Sequence, residues 1–333
     1  MTAPGRRAAV LGHPIGHSLS PVLHRAAYRA LGLDGWSYEA VDVTEEGLPA
    51  FVDALDGTWA GLSLTMPLKQ TVLPLLDHVE PLAEVVGAVN TVLVQGGGSG
   101  RPVLTGANTD VHGLVAALSE GLAAAGAGSS VGAGPSAGVQ SSVGAAEAGV
   151  GTAVLSEPGA GASPVPARSA VVLGAGATAA STLAALAQLG CTAPVVHVRS
   201  LGRTGALARA AHRMGVEPVF RTLDGALDAM ARADLVVSTL PPRAADDLAA
   251  GLAGGSAGAP RAGAVLLDVA YDPRPTALHA AWSAAGGVAV PGERMLLHQA
   301  AEQVRLMTGR PGPLAAMDAA LAEALDAPAA PVG

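Results

Sequence analysis

Short apolar runs alternate with segments that carry helix signals along most of the chain. The runs that predict strands lie at residues 8–12, 37–43, 60–65, 169–173, 194–198, 235–240 and 264–270. Helices are predicted to begin at Ser20, after Thr44 and after Pro67, and one is predicted between the GAGATA turn and Leu189. Further helices are predicted over residues 109–122, 293–308 and 313–325. This alternation is typical of α/β domains built on mostly parallel sheets.

Local turn signals set several of the predicted boundaries. Ser20 followed by Pro21 predicts a helix N-cap with proline at the first helical position, and Gly32 predicts the end of that helix. The apolar segments 88–95 and 101–107 flank the sequence GGGSG and predict a β-hairpin.

Residues 126–167 interrupt the alternation of strands and helices. They are nearly all Gly, Ala, Ser, Pro and Val, with Leu155 as the only leucine and no aromatic residue. Such small side chains bury too little surface to offset the ordering of the backbone, which costs about 1–2 kcal/mol per residue. We therefore predict a flexible insertion.

Composition excludes several classes of protein. Of the 333 residues, 50% are hydrophobic and 14% are charged, which suffices for two domains with sizeable cores. The formal net charge is −8 without a basic run, so no nucleic-acid partner is expected. No segment reaches about 18 uninterrupted apolar residues, and the single cysteine, Cys191, excludes a disulfide framework and a Cys-rich zinc site. We predict a cytoplasmic protein with no membrane partner and no metal.

A glycine pattern predicts a dinucleotide site. Gly174, Gly176 and Ala179 form G-x-G-x-x-A between a predicted strand and a predicted helix. The first glycine permits the tight turn, the second lets a pyrophosphate approach the backbone, and the small third residue lets helix pack on strand. The predicted contacts are Gly174, Ala175, Gly176, Ala177 and Ala179.

The end of the next strand indicates which dinucleotide is bound. An NAD site places an acid about 20 residues after the glycines, to bind the ribose 2′-hydroxyl. This chain has Arg199, Ser200 and Arg203 there and no acid before Glu217. Because guanidinium groups bind phosphate bidentately, NADP(H) is favoured over NAD(H). The alternative is that both arginines are solvated surface residues.

The segment SLTMPLKQ, residues 63–70, contains Lys69, the only lysine among 19 lysine and arginine residues. Arginine stays protonated at any physiological pH, whereas a lysine releases its proton when its surroundings lower its pKa from about 10.4. A single lysine therefore suggests a position that exchanges a proton, with chance occurrence as the alternative.

Polar side chains are expected around this lysine. Ser63 and Thr65 lie two residues apart and point to one face of a strand, and Ser18 and Ser20 repeat the spacing after the first strand. Ligands of open parallel sheets bind outside the carboxyl ends of the strands, so these hydroxyls predict a polyhydroxylated ligand. The other polar residues expected there are Asn90, Asn108 and Asp110. Helix capping is the alternative role for Ser20 and for residues 108–110.

Ordered motifs along the chain resemble those of one enzyme family. They are GHPIGHSLSP, GLSLTMPLK, GAVNT, GANTD, LGAGATA, DVAYDP and MLLHQA. They are similar to the motifs of the shikimate dehydrogenase family, and the resemblance covers the chain apart from 126–167. It implies a two-domain α/β reductase that interconverts 3-dehydroshikimate and shikimate with NADP(H). Residues 1–108 and 293–327 would form the substrate-binding and catalytic domain, and residues 109–292 a Rossmann-like NADP-binding domain that contains the insertion.

The resemblance also implies roles for individual residues. Lys69 and Asp110 become the catalytic pair. The implied substrate contacts are Ser18, Ser20, Ser63, Thr65, Asn90, Tyr271 and Gln299. Thr239 and Met295 are further implied cofactor contacts. Met295 lies one helical turn before Gln299, on the same helix face, and would be near the nicotinamide. The partner is then a small molecule, and the protein is expected to be a monomer or a homodimer.

Several positions depart from the family pattern. Ser63 stands where asparagine is usual, which shortens the reach of a hydrogen-bonding group, and Val111 stands where glycine is common. Residues 198–200 read Val-Arg-Ser instead of Asn-Arg-Thr, and GERMLL replaces Gly-Leu-Gly-Met-Leu. These differences bear on cofactor affinity more than on the reaction.

Two other functions stay open at this point. Quinate or dual quinate/shikimate dehydrogenases tend to have threonine at the second serine of the first loop and an acid after the second nucleotide strand, whereas this chain has Ser20 and Arg199. A non-catalytic shikimate-binding sensor is the second alternative. The presence of Lys69 and Asp110 and the lack of a basic DNA-reading segment count against it.

Overall fold

The computed structural model describes residues 5–96, 100–130, 168–256 and 258–326, with side chains in the long helix described up to residue 127. Two six-stranded sheets form its framework. The first contains β1 (Arg7–Gly12), β2 (Ser37–Asp42), β3 (Trp59–Leu64), β4 (His78–Val79), β5 (Thr91–Gln95) and β6 (Val103–Ala107). Its order is β2-β1-β3-β5-β6-β4, and only β5 runs antiparallel to its neighbours.

The second sheet is entirely parallel. It contains β7 (Ala170–Leu173), β8 (Val195–Val198), β9 (Val219–Thr222), β10 (Leu235–Ser238), β11 (Val265–Asp268) and β12 (Val288–Pro291). Its order is β12-β11-β10-β7-β8-β9, which is doubly wound with the reversal between β7 and β10. In such sheets a crevice opens at the carboxyl ends of the strands beside the reversal.

Helices connect and cover the strands. They are α1 (Ser20–Ala30), α2 (Leu48–Asp53), α3 (Leu68–Thr71), α4 (Pro81–Val86), α5 (Asp110–Ser130), α6 (Ala177–Gln188), α7 (Gly205–Arg213), α8 (Ala226–Arg232), α9 (Asp246–Ala253), α10 (Ala277–Ala284), α11 (Gly292–Thr308) and α12 (Leu314–Asp326). Within the described ranges, none of these helices combines the length and the apolar character that a membrane crossing requires.

The strands, the hairpin and the mostly parallel α/β class predicted from the sequence are confirmed, but two boundaries were wrong. Ser20 is not an N-cap: it is the first helical residue of α1, and its backbone N–H donates to Ser18 Oγ at 3.3 Å. Helix α5 continues to Ser130, so residues 126–130 are helical where a flexible insertion was predicted to begin. The rest of the predicted insertion, 131–167, lies outside the described residues.

The apolar core shows how the chain passes between the two sheets. Leu297 and Val304 of α11 and Met317 of α12 are fully buried in a cluster with Val10 of β1 and Leu23 of α1, which covers the first sheet. Leu114 and Leu118 of α5 are instead buried with Val172 and Val237 of the second sheet. The chain therefore leaves the first sheet through α5 and returns to it through α11.

Helices α5 and α11 approach each other closely at Gly113. A Cβ at this position would lie 2.6 Å from the backbone oxygen of Met295, nearer than real Cβ contacts occur. Farther along, Arg294 binds Glu120 bidentately at 2.7 and 2.8 Å and Asp318 at 2.7 Å, so it links α5, α11 and α12. This network gives the Arg of GERMLL, a departure from the family pattern, a structural role.

We expect Gly113→Ala to separate α5 from α11, because the added methyl group meets backbone that cannot rotate away. The free energy of unfolding should fall by about 1–3 kcal/mol, measured by urea denaturation. Gly126→Ala is the matched control, since it lies in the same helix with nothing within 4 Å of a Cβ and should be neutral or slightly stabilising. Equal stability of the two variants would contradict the close approach.

Candidate active site

A cavity of about 490 Å³ lies where the carboxyl ends of β1, β3, β10 and β11 meet the start of α11. It is lined by the predicted residues Ser18, Ser20, Ser63, Thr65, Lys69, Asn90, Asp110, Thr239, Tyr271, Met295 and Gln299. The structure thus brings the predicted catalytic pair, the predicted substrate contacts and two predicted cofactor contacts into one space.

The lysine and the aspartate form an ion pair inside this cavity. Lys69, in α3, places Nζ 2.5 Å from Oδ2 of Asp110, the first residue of α5. Asp110 is fully buried, and 13% of the Lys69 side chain is exposed. A buried carboxylate requires a close cationic partner, whereas the amine retains access to the cavity. The pair therefore holds an amine in a defined position with one side open.

Asn90 holds the other oxygen of that carboxylate. Its Nδ2 donates to Asp110 Oδ1 at 2.8 Å, and its Oδ1 accepts from the backbone N–H of Thr109 at 2.7 Å. Nδ2 also lies 3.3 Å from Gln299 Oε1. Asn90 lines the cavity as predicted, but most of its hydrogen bonds position Asp110 and the start of α5.

Asn108 caps α5, as the capping alternative predicts. Its Oδ1 accepts from the backbone N–H of Val111 at 3.2 Å, and its Nδ2 donates to the backbone oxygen of Ala88 at 2.9 Å and to Ser181 Oγ at 3.1 Å. It does not line the cavity, so the fold uses it to join α5 to its surroundings.

The remaining predicted contacts cover the walls of the cavity. Ser18 lies in the loop after β1, and Ser20 is the first residue of α1. Hydrogen bonds from His13 and from the backbone N–H of Ile15 to Asp42 hold this loop. Burial raises the pKa of Tyr271, and the nearby charge of Glu293 acts in the same direction, so the phenol stays protonated as a hydrogen-bond donor.

Sequence reasoning missed two side chains that form hydrogen bonds with Ser63. Ser63 accepts a hydrogen bond from Tyr38 at 2.6 Å and donates one to Gln303 at 2.9 Å. Gln303 itself lines the cavity. It lies four residues after Gln299 on α11, so helical spacing from that predicted contact could have identified it. Nothing in the pattern of β2 distinguishes Tyr38.

The glycine-rich turn forms a cradle that suits a pyrophosphate. Gly174 adopts φ +109°, and a Cβ there would lie 2.5 Å from Thr239 Oγ1. Gly176 has open space around it, and the start of α6 has neither a side-chain cap nor an acid in its first turn. Backbone N–H groups at such an end are free to bind an anion. Ala179 is fully buried, which allows the close helix–strand packing that the motif predicts.

The predicted phosphate-binding residues follow β8 at the surface. Arg199, Ser200 and Arg203 are exposed, and neither arginine forms an ion pair with any residue in the described ranges. The cavity itself reaches Thr178 in the first turn of α6, so it extends from Lys69 to the dinucleotide cradle. Among the residues that the structure describes, no group of His, Cys, Asp and Glu is arranged to hold a metal ion.

Comparison with known proteins identifies the family of this chain. The sequence model of the shikimate dehydrogenase substrate binding domain matches residues 10–92, and that of the shikimate 5′-dehydrogenase C-terminal domain matches residues 292–322. Shikimate dehydrogenase (NADP(+)) of Citrifermentans bemidjiense is 36% identical over 99% of this chain and 100% of its own length.

Solved structures are similar over nearly the whole chain. Shikimate dehydrogenase of Mycobacterium tuberculosis is 35% identical with a TM-score of 0.72, covering 96% of this chain and 99% of that one. Quinate dehydrogenase of Corynebacterium glutamicum, in complex with NAD, is 26% identical with a TM-score of 0.70, covering 96% of this chain and 100% of that one. The full-length identity to the C. bemidjiense enzyme, together with the shared fold and the matched domains, shows that this chain belongs to the shikimate dehydrogenase family.

Proposed function

We propose that this protein catalyses the reversible NADPH-dependent reduction of 3-dehydroshikimate to shikimate. The observation that carries the proposal is the ion pair between Lys69 and Asp110, which faces a cavity continuous with the first turn of α6. A polyhydroxylated acid in this cavity would be held next to a proton donor at one end and a dinucleotide cradle at the other. The full-length relatives named for this activity support the same reaction.

In the reduction, Lys69 acts as the acid. NADPH, held at the glycine-rich turn, would supply the hydride to the carbonyl carbon. The Lys69 ammonium, hydrogen-bonded to the carbonyl oxygen, stabilises its negative charge and donates the proton that makes it a hydroxyl. In the oxidation the neutral amine takes that proton back. Asp110 keeps the amine at the reacting oxygen and balances its charge, with Asn90 holding the carboxylate in place.

The other cavity residues position the substrate. We propose that Ser18, Ser20 and the protonated Tyr271 hydroxyl bind the substrate carboxylate and hydroxyls from the β1 loop and the β11 loop. Thr65, Gln299 and Ser63 complete these contacts from β3 and α11. Holding a ring between fixed hydrogen-bonding groups lowers the entropic barrier to hydride transfer.

The nucleotide half of the site favours NADPH. Gly174, Ala175, Gly176, Ala177 and Ala179 would surround the pyrophosphate at the start of α6. The exposed guanidinium groups of Arg199 and Arg203, with Ser200, would bind the ribose 2′-phosphate. Thr239 and Met295 line the cavity where the nicotinamide would lie.

The two sheets correspond to two proposed domains. Residues 1–108 with 293–327 would bind the substrate, and residues 109–292 would bind the cofactor. The packing of α11 and α12 on the first sheet and of α5 on the second supports this division. We further propose a cytoplasmic monomer or homodimer without nucleic-acid or membrane partners, consistent with a net charge of −8.

Lys69→Ala should lower kcat for shikimate oxidation by about 10²–10⁴-fold with a modest change in KM, because a positioned general acid–base is lost. Lys69→Arg should be similarly slow, since arginine keeps the charge but does not release the proton. Arg101→Ala, an exposed cation that does not line the cavity, is the control and should retain full activity. A change confined to KM would make Lys69 a binding residue only.

Arg199→Ala and Arg203→Ala should each raise the KM for NADPH by about tenfold or more and leave the KM for NADH nearly unchanged, because NADH lacks the 2′-phosphate. Initial rates with each cofactor measure this difference. Arg232→Ala, at the end of α8, serves as the control. Equal effects on both cofactors would show that these arginines do not recognise the phosphate.

The wild-type enzyme should oxidise shikimate with NADP⁺ at a higher kcat/KM than shikimate with NAD⁺ or quinate with either cofactor. Similarity to a quinate dehydrogenase that binds NAD makes this comparison the decisive assay for the substrate. Absorbance of the reduced cofactor measures all four combinations. Rapid oxidation of quinate with NAD⁺ would overturn the proposed function.

A further inference from the structure

The side chains behind Ser63 form a chain of hydrogen bonds that is shielded from water. Tyr38 Oη lies 2.6 Å from Ser63 Oγ, which in turn lies 2.9 Å from Gln303 Oε1. The three residues are 0%, 4% and 3% exposed in that order. Because little solvent reaches these atoms, the neighbouring protein groups determine which atom donates each hydrogen.

The amide of Gln303 has only one acceptable orientation. Its Nε2 lies 3.2 Å from the backbone oxygen of Asn90 and 3.1 Å from Thr91 Oγ1. A backbone oxygen can only accept, so the atom facing it has to be the amide nitrogen. The reversed amide would place two acceptors against each other. Gln303 therefore presents its oxygen to Ser63.

Ser63 must then donate its only hydroxyl hydrogen to Gln303. The same oxygen of Gln303 also accepts from Nε2 of His24 at 3.2 Å, whose ring is neutral because burial lowers its pKa to about 3. Burial raises the pKa of Tyr38, so its phenol keeps a hydrogen, and the 2.6 Å contact is the hydrogen bond that it donates to Ser63 Oγ; the side chain of Ser20 is a second hydrogen-bonding neighbour of the phenol. One lone pair of Ser63 Oγ is left for the cavity, and no hydrogen is left.

We propose that Ser63 meets the substrate only as a hydrogen-bond acceptor, with Tyr38 and Gln303 as the residues that position it. This rests on the proposed function. The ketone of 3-dehydroshikimate only accepts hydrogen bonds, so it is rejected beside Ser63 and bound beside the Lys69 ammonium, which only donates. A ring hydroxyl can donate and is bound beside Ser63. Ser63 and Lys69 thus select the orientation in which the ketone faces the acid.

Asparagine, which is usual at this position in the family, offers both a donor and an acceptor. The replacement by serine therefore has a consequence beyond shorter reach. It makes this side of the cavity specific for a donor, provided that the Tyr38 and Gln303 hydrogen bonds are present.

A cycle of variants and substrate analogues tests the selectivity. The substrates are shikimate and its two deoxy analogues that each lack one of the hydroxyls not oxidised. For one of the two analogues, the kcat/KM of the wild-type enzyme should be about tenfold lower than for shikimate. Ser63→Ala should lower the kcat/KM for shikimate by a similar factor, but it should change the kcat/KM for that analogue little. Equal losses from Ser63→Ala on all three substrates would overturn the proposal.

The role of Tyr38 is tested in the same cycle. Tyr38→Phe should raise the KM for shikimate severalfold and leave the KM for the same deoxy analogue unchanged. A merely structural defect would instead raise the KM for every substrate alike. Tyr28→Phe is the matched control, because Tyr28 is another buried tyrosine whose hydroxyl has no hydrogen-bond partner among the described residues. It should leave the discrimination unchanged.

The direction of the hydrogen bonds is tested by neutron diffraction of the perdeuterated, ligand-free enzyme. The deuterium on Ser63 Oγ should point to Gln303 Oε1, and a deuterium that points into the cavity would overturn the proposal. This result does not depend on turnover. A wild-type enzyme that fails to oxidise shikimate would instead refute the proposed function, so the two failures are distinguishable.

Discussion

The buried ion pair between Lys69 and Asp110 is the interaction on which the site depends. A carboxylate without solvent exposure is tolerable only if a cation and hydrogen-bond donors compensate it, and the loss of one partner costs about 3–5 kcal/mol. Here the cation comes from α3 and the amide donor of Asn90 precedes β5, while Asp110 itself begins α5. Correct folding of all three segments is therefore a condition for placing the amine at the cavity.

The packing of α5 and α11 connects the ion pair to the cores of both sheets. Helix α5 belongs to the core of the second sheet at its apolar face, yet its first residue lies in the site on the first sheet. Helix α11 follows the opposite course, from the end of β12 into the core of the first sheet. The contact at Gly113 and the ion network of Arg294 hold the two helices together. The site thus lies where the two sheets share their helices.

Much of this arrangement was predictable from local patterns, and the exceptions have physical reasons. The strands have continuous apolar runs, and the dinucleotide turn needs particular backbone conformations that glycine marks. The end of α5 was wrong because each residue added to an existing helix gains a hydrogen bond without a new nucleation cost, so α5 continues to Ser130 although glycine and serine make up most of its last five residues. Capping by Ser20 was wrong because α1 begins at Ser20 itself, and its backbone N–H donates to the Ser18 hydroxyl. Helical spacing from Gln299 could have identified Gln303, but Tyr38 acts through a contact with a distant segment, which residue spacing within one strand does not reveal.

A crystal structure of the complex with NADP⁺ and shikimate tests the central claim most directly. The account predicts Lys69 Nζ within about 3 Å of the hydroxyl that is oxidised, with Asp110 still bound to the amine and the nicotinamide on the side of Met295. A structure in which the oxidised hydroxyl contacts another side chain, with Lys69 turned away from it, would contradict the account.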